Sequence, residues 1–272
     1  MNYFQGGVLG AVEGLTEFLP VSSTAHLTVG EKLFNLKIDD PQVTAFTAVV
    51  QFGAIIAVLI YFRNDLIRLI GAGLRALGSP AARRDPDAKL AGYIVVGSIP
   101  VGIVGLAAKS LIEGPLRNLV VIAFALIAWS GVMVYAEAHA AGNRGERQLT
   151  LKDVLVMGLV QCIALLPGIS RSGATISAGL LRGVTRVEAT RLSFFLAIPA
   201  LTAATVLELP KAVKNHADIG PTVLGIIVAF VVAYASIAFL LRFVASHKIT
   251  AFVPYRLAAG AVLLVLLATN VV

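Results

Sequence analysis

The chain has 272 residues, of which 58% are hydrophobic and only 14% are charged, and its mean hydropathy is +0.88. Soluble domains are usually about half apolar and about one quarter charged, so this composition excludes an ordinary water-soluble globular protein. The net charge of +7 does not indicate nucleic-acid binding, because the basic residues fall between apolar segments and form no nucleic-acid-binding motif. We expect a protein whose solvent is a lipid bilayer.

Six apolar segments approach or exceed the length of about 18 to 20 residues that a helix needs to cross a bilayer. Five are uncharged and cover residues 43–62, 90–108, 118–136, 219–241 and 257–272. The sixth, residues 192–209, is interrupted only by Pro199 and Glu208, and neighbouring helices can satisfy the backbone groups that a membrane proline frees. The predicted fold class is therefore an all-α polytopic membrane protein, built as one integral membrane domain over residues 1–272.

The distribution of basic residues predicts the orientation of these helices. Lys and Arg are concentrated in three connecting segments, residues 63–89, 142–152 and 242–256. The positive-inside rule assigns all three segments, including Arg256, to the cytoplasmic side. The opposite loops carry less net positive charge and are predicted to face outward: residues 35–42, 109–117 and 210–220.

Two further apolar segments, residues 10–26 and 158–175, are each interrupted by a proline and a cluster of Ser and Thr. Each half is too short to cross the bilayer, so we interpret both segments as re-entrant helical hairpins. Their irregular backbone is tolerated at membrane depth only where it is buried in protein or lines a wet cavity. Counting membrane crossings from the three cytoplasmic segments places the base of the first hairpin on the outer side of the membrane and the base of the second on the cytoplasmic side.

The two interrupted segments are related by a constant shift of 148 residues. The shift sets Gly10 on Gly158, Ser22 on Ser170 and, further along, Phe46 on Phe194. We therefore expect two repeats, roughly residues 1–140 and 150–272, inverted relative to each other. Such repeats place a site near the bilayer midplane at their interface.

Glu13 and Glu17 lie four residues apart and share one helical face, with Cβ atoms about 6 Å apart. At low dielectric such a pair must share a proton or a cation, and a hard divalent ion such as Mg²⁺ or Ca²⁺ takes oxygen ligands of this kind. A wet interfacial helix would explain the pair without any function. Because ionisable residues inside membranes are usually functional, we predict that Glu13 and Glu17 bind a divalent cation.

Three hydroxyls and an imidazole follow the proline of the first segment: Ser22, Ser23, Thr24 and His26. One hydroxyl could cap the next half-helix, but capping does not account for three. Ser23 and His26 are three residues apart and can meet on one helical face. They offer either a hydroxyl nucleophile with an imidazole partner or an imidazole that itself accepts a phosphoryl group. An activated water is the third alternative, and the sequence leaves the choice open.

The second segment places a guanidinium, three hydroxyls and two glycines at the start of a short helix. These side chains are Ser170, Arg171, Ser172 and Thr175. Free N–H groups at a helix N-terminus favour an anion, and arginine offers a planar fork to phosphate oxygens. An arginine that merely extends to the membrane interface is the non-functional alternative. We predict a phosphate-binding site.

Residues 13–24 and 167–175 resemble the glutamate-rich and arginine-containing motifs of the undecaprenyl-diphosphate phosphatase family, the bacitracin-resistance type of membrane phosphatase. The resemblance runs from the first helix to the last, with Ala25 as a departure where the family usually has glycine. It implies hydrolysis of undecaprenyl diphosphate to the monophosphate that carries cell-wall precursors. It also implies a divalent-cation requirement and an active site open to the periplasm of a bacterial inner membrane.

Residues and resemblance together predict the roles in the site. The predicted catalytic residues are Glu17, Ser23, His26 and Arg171. The predicted diphosphate-binding residues are Ser22, Thr24, Ser170, Arg171, Ser172 and Thr175. A lipid transporter is the alternative function, because inverted repeats and broken helices also occur in secondary carriers. The sequence does not define the oligomeric state, and a homodimer is compatible with it.

Overall fold

The protein is all-helical in the computed structural model, which describes residues 1–37, 40–214 and 218–269. These residues form twelve α-helices and three short 3₁₀ helices. The α-helices are α1 (Tyr3–Thr16), α2 (Ser23–Leu33), α3 (Pro41–Tyr61), α4 (Arg63–Gly78), α5 (Pro86–Ala107), α6 (Lys109–Glu113), α7 (Leu119–Ala138), α8 (Leu151–Ile163), α9 (Arg171–Leu181), α10 (Arg186–Lys214), α11 (Ile219–Ser246) and α12 (Val253–Ala268).

Six helices among the described residues are long and apolar enough to cross a bilayer, which confirms the prediction of six spans. They are α3, α5, α7, the Arg186–Pro210 part of α10, α11, and α12 together with the 3₁₀ turn that precedes it. The last span begins at Ile249, eight residues before the predicted segment, and α10 begins six residues before its predicted segment. Its first turns carry Arg191, which pairs with Asp65 at 2.9 Å, so polar contacts continue the helix beyond its apolar part.

Parts of the predicted outward loops, residues 38–39 and 215–217, lie outside the described residues, as do residues 270–272 at the end of the last predicted span.

The four helices of the two interrupted segments are too short to cross a bilayer. α1, α2, α8 and α9 contain 14, 11, 13 and 11 residues. At a rise of 1.5 Å per residue the longest spans about 21 Å, against about 30 Å of hydrocarbon. Residues 17–22, here called the first break, join α1 to α2, and residues 164–170, the second break, join α8 to α9.

The two pairs of short helices match each other at an offset of 148 residues. Asn2 and Thr150 cap α1 and α8 with the same capping box. In each, the side chain of the cap accepts a hydrogen bond from the backbone N–H of the third helical residue, and the backbone N–H of the cap donates to the side chain of that residue. α2 and α9 begin and end 148 residues apart. Ser22 and Ser170, which end the two breaks, both have a φ of 77°. The local backbone therefore repeats as well as the sequence pattern.

Glycines allow the short helices to lie against the long ones at very close range. α1 packs on α11, where a Cβ on Gly10 would lie 2.4 Å from the backbone oxygen of Gly225. α8 packs on α5, where a Cβ on Gly158 would lie 1.8 Å from the oxygen of Gly97. Small residues permit such crossings between membrane helices. Each short pair is thus held by a long helix of the other half of the chain.

A buried carboxylate fixes the start of α8. Asp153 is 0% exposed and accepts hydrogen bonds from Arg144 at 2.6 Å, Arg182 at 2.9 Å and Thr150 at 2.7 Å. Burial alone raises the pKa of Asp153, but the hydrogen bonds from Arg144 and Thr150 outweigh it and hold the pKa well below its ordinary range. This cluster anchors the chain before α8 and the end of α9 to the same point.

Candidate active site

The start of α9, which follows the second break, contacts the first break in the interior of the molecule. Arg171, the first residue of α9, donates from Nη2 to Oε1 of Glu17 at 2.9 Å. Ser172 donates from Oγ to the backbone oxygen of Leu19, also at 2.9 Å. Glu17 and Leu19 belong to the first break, so side chains at the start of α9 bind the first break directly. The glutamate and arginine motifs form one site.

Glu17 also contacts the hydroxyl that follows the first break. Ser23 donates from Oγ to Oε2 of Glu17 at 2.5 Å, while Oε1 of the same carboxylate accepts from Arg171. Glu17 is only 6% exposed, whereas Ser23 is half-buried. A carboxylate so placed can accept the proton of the hydroxyl, and a serine that loses its proton to a neighbouring base is a nucleophile. The contacts thus form a chain from Arg171 through Glu17 to Ser23.

Arg171 has unused hydrogen-bond donors. Its Nε and Nη1 are buried and have no hydrogen-bond partner among the described residues. A guanidinium carries five N–H donors, and burying charged donors without partners is costly. Because charged N–H donors form strong hydrogen bonds with phosphate oxygens, the free donors of Arg171 suit a phosphate group.

The hydroxyls of the second motif are engaged within the protein. Ser170 accepts a hydrogen bond from the backbone N–H of Gly173 at 3.2 Å, and its Oγ lies 3.1 Å from that of Ser172. Thr175 lies 2.8 Å from the oxygen of Arg171 and 2.6 Å from Oγ of Ser193. These contacts fix the first turn of α9. The predicted role of Ser170, Ser172 and Thr175 in phosphate binding stays a prediction.

The predicted contact between Ser23 and His26 is not among the hydrogen bonds of the described residues. His26 lies 2.7 Å from the backbone oxygen of Ser22 through Nδ1 and 2.5 Å from the hydroxyl of Tyr255 through Nε2. Because a carbonyl only accepts, Nδ1 carries the proton and Nε2 accepts from Tyr255. Ser22 itself is buried and Thr24 is exposed. Ser23 therefore pairs with Glu17, and His26 pairs with Tyr255.

His26 and Tyr255 lie in an apolar groove between α1, α2 and α12, with a volume of about 380 Å³. Aliphatic side chains form most of the lining, among them Val12, Val29, Leu33, Ala259, Leu263 and Leu266. The groove adjoins the first break, because His26 is bonded to Ser22.

Glu13 lies one helical turn before Glu17, whose backbone N–H donates to the oxygen of Glu13 at 2.9 Å. Glu13 is 1% exposed, and its Oε1 has no hydrogen-bond partner within the described ranges. Among the residues that the structure describes, no group of three or more His, Cys, Asp or Glu side chains is placed to hold a metal ion. The residues nevertheless fit a hard divalent cation, because Mg²⁺ is usually bound by one or two carboxylates together with substrate phosphates.

Comparison with known proteins identifies the family. The model of the family described as "Bacitracin resistance protein BacA" matches residues 7–262. The chain belongs to the BacA family. "Undecaprenyl-diphosphatase 3" of Frankia casuarinae is 54% identical over 100% of this chain and 99% of its own length. "Undecaprenyl-diphosphatase 1" of Streptomyces avermitilis is 52% identical (100% and 98%), and "Undecaprenyl-diphosphatase" of Acidothermus cellulolyticus is 50% identical (100% and 99%).

One important residue of this BacA family member was assigned wrongly from its sequence. Arg256 was predicted to be a cytoplasmic loop residue, but it lies on α12 and is 0% exposed. Its guanidinium donates to the backbone oxygens of Pro20 and Gly168, one in each break, at 3.0 and 3.1 Å. The positive-inside rule failed here because a basic residue at the end of an apolar segment looks the same whether it faces water or the protein interior. Tyr255 was likewise not predicted.

Proposed function

We infer that the chain is an undecaprenyl-diphosphatase, a membrane hydrolase that releases the terminal phosphate of undecaprenyl diphosphate and thereby supports bacitracin resistance and the recycling of the lipid carrier for cell-wall synthesis. Membership of the BacA family and the full-length relatives named above support this activity. The structural observation that carries it is the chain of contacts from Arg171 through Glu17 to Ser23, which joins the start of α9 to the first break and the start of α2.

In this proposal the unpartnered Nε and Nη1 of Arg171 donate hydrogen bonds to oxygens of the diphosphate. The N-terminus of α9 adds favourable backbone dipoles. Hydroxyls around the two breaks complete the diphosphate-binding set, namely Ser22, Thr24, Ser170, Ser172 and Thr175. The prenyl chain occupies the apolar groove between α1, α2 and α12, which adjoins the first break.

The contact with Glu17 favours Ser23 as the nucleophile over His26 or an activated water, because His26 is already bonded to Ser22 and Tyr255. Oγ of Ser23 forms a bond to the terminal phosphorus while its proton passes to Glu17. The bridging P–O bond breaks, and undecaprenyl monophosphate leaves. As the monophosphate leaves, Glu17 gives it the proton taken from Ser23. Water then attacks the phosphorus of the phosphoserine and gives a proton to Glu17. The Oγ–P bond breaks, inorganic phosphate leaves, and Glu17 returns the proton to Oγ of Ser23.

A divalent cation, Mg²⁺ or Ca²⁺, would be held by Glu13 and Glu17. When bound, it neutralises charge on the phosphate oxygens as a Lewis acid. The unpartnered Oε1 of Glu13 supports this assignment.

We propose further that α1–α2 and α8–α9 are re-entrant hairpins of two inverted repeats within a single domain, and that the site opens to the periplasmic face of a bacterial inner membrane. The helix lengths and the 148-residue match of caps, helix bounds and break conformation support the repeats. The basic segments support the orientation. A homodimer stays a prediction that cross-linking in membranes can test.

The deciding experiment is release of inorganic phosphate from undecaprenyl diphosphate by the purified protein in detergent, with and without a chelator of divalent cations. We expect phosphate release that the chelator abolishes and that added Mg²⁺ or Ca²⁺ restores. Binding of the lipid without phosphate release would favour the transporter alternative. Release that is insensitive to the chelator would leave the phosphatase assignment intact but remove the proposed cation from Glu13 and Glu17.

A further inference from the structure

Arg256 joins the two breaks although it belongs to neither of them. Nη1 of Arg256 donates to the oxygen of Pro20 at 3.0 Å, and Nη2 donates to the oxygen of Gly168 at 3.1 Å. Pro20 and Gly168 are 148 residues apart, so the guanidinium bridges equivalent carbonyls of the two repeated segments. Ser23 follows the first bridged carbonyl by three residues, and Arg171 follows the second by three.

The chemistry of a broken helix explains why an arginine lies here. The carbonyls of a break lie outside the helices and have no partner in a helical ladder, and no water is available for them in the hydrocarbon region. Arg256 satisfies several at once, because its Nη2 also lies 3.1 Å from the oxygen of Ile169 and its Nε lies 3.2 Å from Oγ of Ser130. Lysine has three donors on one atom and cannot reach both breaks with the same planar fork.

Arg256 makes no ion pair with a carboxylate in the part of the chain that the structure describes. All of its acceptors there are neutral: four backbone oxygens and the hydroxyl of Ser130. A buried charge without a counter-ion is costly to keep. Three of its acceptors lie in the breaks, namely the carbonyls of Pro20, Gly168 and Ile169. The contacts with the two breaks therefore explain why a charged side chain is buried here.

We propose that Arg256 is a positioning residue of the phosphatase reaction: by binding Pro20 and Gly168 together, it sets the separation of Ser23 from Arg171. The nucleophile and the phosphate-binding guanidinium must be held within a fraction of an ångström for attack on phosphorus, and a misplacement of about 1 Å can cost about 100-fold in rate. This inference rests on the proposed function of the same site.

The test compares Arg256→Lys and Arg256→Ala with wild type, using phosphate release from undecaprenyl diphosphate. The amount of folded protein is measured by size-exclusion chromatography and thermal unfolding in detergent. Per folded molecule, we expect kcat to fall on the order of 100-fold for Arg256→Ala and less for Arg256→Lys, with KM changed by less than about threefold. Added methylguanidinium should restore part of kcat to Arg256→Ala and none to Arg256→Lys.

A matched control is Arg186→Lys, because Arg186 also ties helices together, through Glu137, but contacts neither break. It should keep wild-type kcat per folded molecule. The proposal is overturned if Arg256→Lys has wild-type kcat per folded molecule, even where its yield is low, since Arg256 would then serve folding alone. It is also overturned if the loss appears only in KM. An inactive wild-type protein would instead contradict the proposed function itself.

Discussion

Both carboxylate oxygens of Glu17 accept hydrogen bonds, Oε1 from the guanidinium of Arg171 and Oε2 from the hydroxyl of Ser23. Arg171 places a positive charge against one carboxylate oxygen, and the other oxygen lies where it can take a proton from Ser23. Neither partner alone would define this role, because an ion pair without the hydroxyl offers no nucleophile and a serine contact without the cation offers no phosphate-binding group. The role of Glu17 depends on the two contacts acting together.

We predict that Glu17→Gln lowers kcat by about 10² to 10⁴-fold, because the amide keeps the shape of the side chain but cannot accept the proton of Ser23. Phosphate release from undecaprenyl diphosphate under saturating substrate measures the effect. Glu188→Gln is the control, since Glu188 lies on α10 beside Arg191 and has no contact with either break. Near-wild-type kcat for Glu17→Gln would remove Glu17 from the site.

A second prediction separates the three candidate nucleophiles. Ser23→Ala should abolish phosphate release, while His26→Asn should retain a measurable rate because His26 is engaged with Ser22 and Tyr255. Acid quenching of a single turnover, with substrate labelled in its terminal phosphate, should trap label on the wild-type protein and none on Ser23→Ala. Label that persists in Ser23→Ala and disappears in His26→Asn would make the imidazole the acceptor. If the wild-type protein releases phosphate at its full rate but no label is trapped on it, water attacks the phosphorus directly.

At the scale of helices, the site depends on two close crossings, α1 on α11 and α8 on α5. We predict that Gly10→Ala destabilises the protein by about 1 to 3 kcal/mol, because its Cβ would lie 2.4 Å from the backbone oxygen of Gly225 and force the helices apart. Gly7→Ala is the matched control, since its Cβ would meet only a methyl of Leu224 at 3.7 Å. Thermal unfolding in detergent compares the two. Equal melting temperatures would contradict the close crossing.

The pattern of apolar segments predicts the six spans and the two broken pairs of short helices, because length and composition alone decide what can cross a bilayer. The sequence also predicts that Glu17 and Arg171 share a site. It does not predict that Ser23 turns to Glu17 instead of His26, since a spacing of three residues places both on one helical face without fixing rotamers. It does not predict Arg256 either, because the partners of Arg256 are carbonyls more than 80 residues away in sequence.

The start of α8 gives a prediction about pH. The hydrogen bonds that lower the pKa of Asp153 favour its ionised form in the folded state, so they stabilise the fold at neutral pH. This contribution is lost as the pH falls below the ordinary value of 3.8 towards the lower pKa of the folded state. Asp153→Asn should therefore cost about 3 kcal/mol at pH 7, and the difference in melting temperature from wild type should narrow at about pH 3. A difference in melting temperature that stays the same between pH 7 and pH 3 would contradict this account.

For the whole molecule, the matching halves are interlocked. α1 of the first half lies on α11 of the second, and α8 of the second lies on α5 of the first, while α3 packs on α10 and α7 on α12. α1 and α8 each have their most extensive packing contact in the opposite half. The breaks meet at the centre of this arrangement, where Ser172 binds the backbone of the first break and Arg256 binds both breaks. The site is therefore a property of the assembled chain.

The inverted arrangement predicts that the bases of the two hairpins lie on opposite sides of the membrane. Lys37, after α2, and Arg147, before α8, are exposed and suit this test in a Cys162→Ala background, since Cys162 is the only cysteine of the chain. In intact cells, a membrane-impermeant maleimide should label Lys37→Cys and leave Arg147→Cys unlabelled; permeabilised cells should show labelling of both. Because a parallel arrangement would place both residues on one face, equal labelling in intact cells would rule out inversion. Labelling of Arg147→Cys alone would preserve inversion but reverse the orientation, and the site would then open to the cytoplasm.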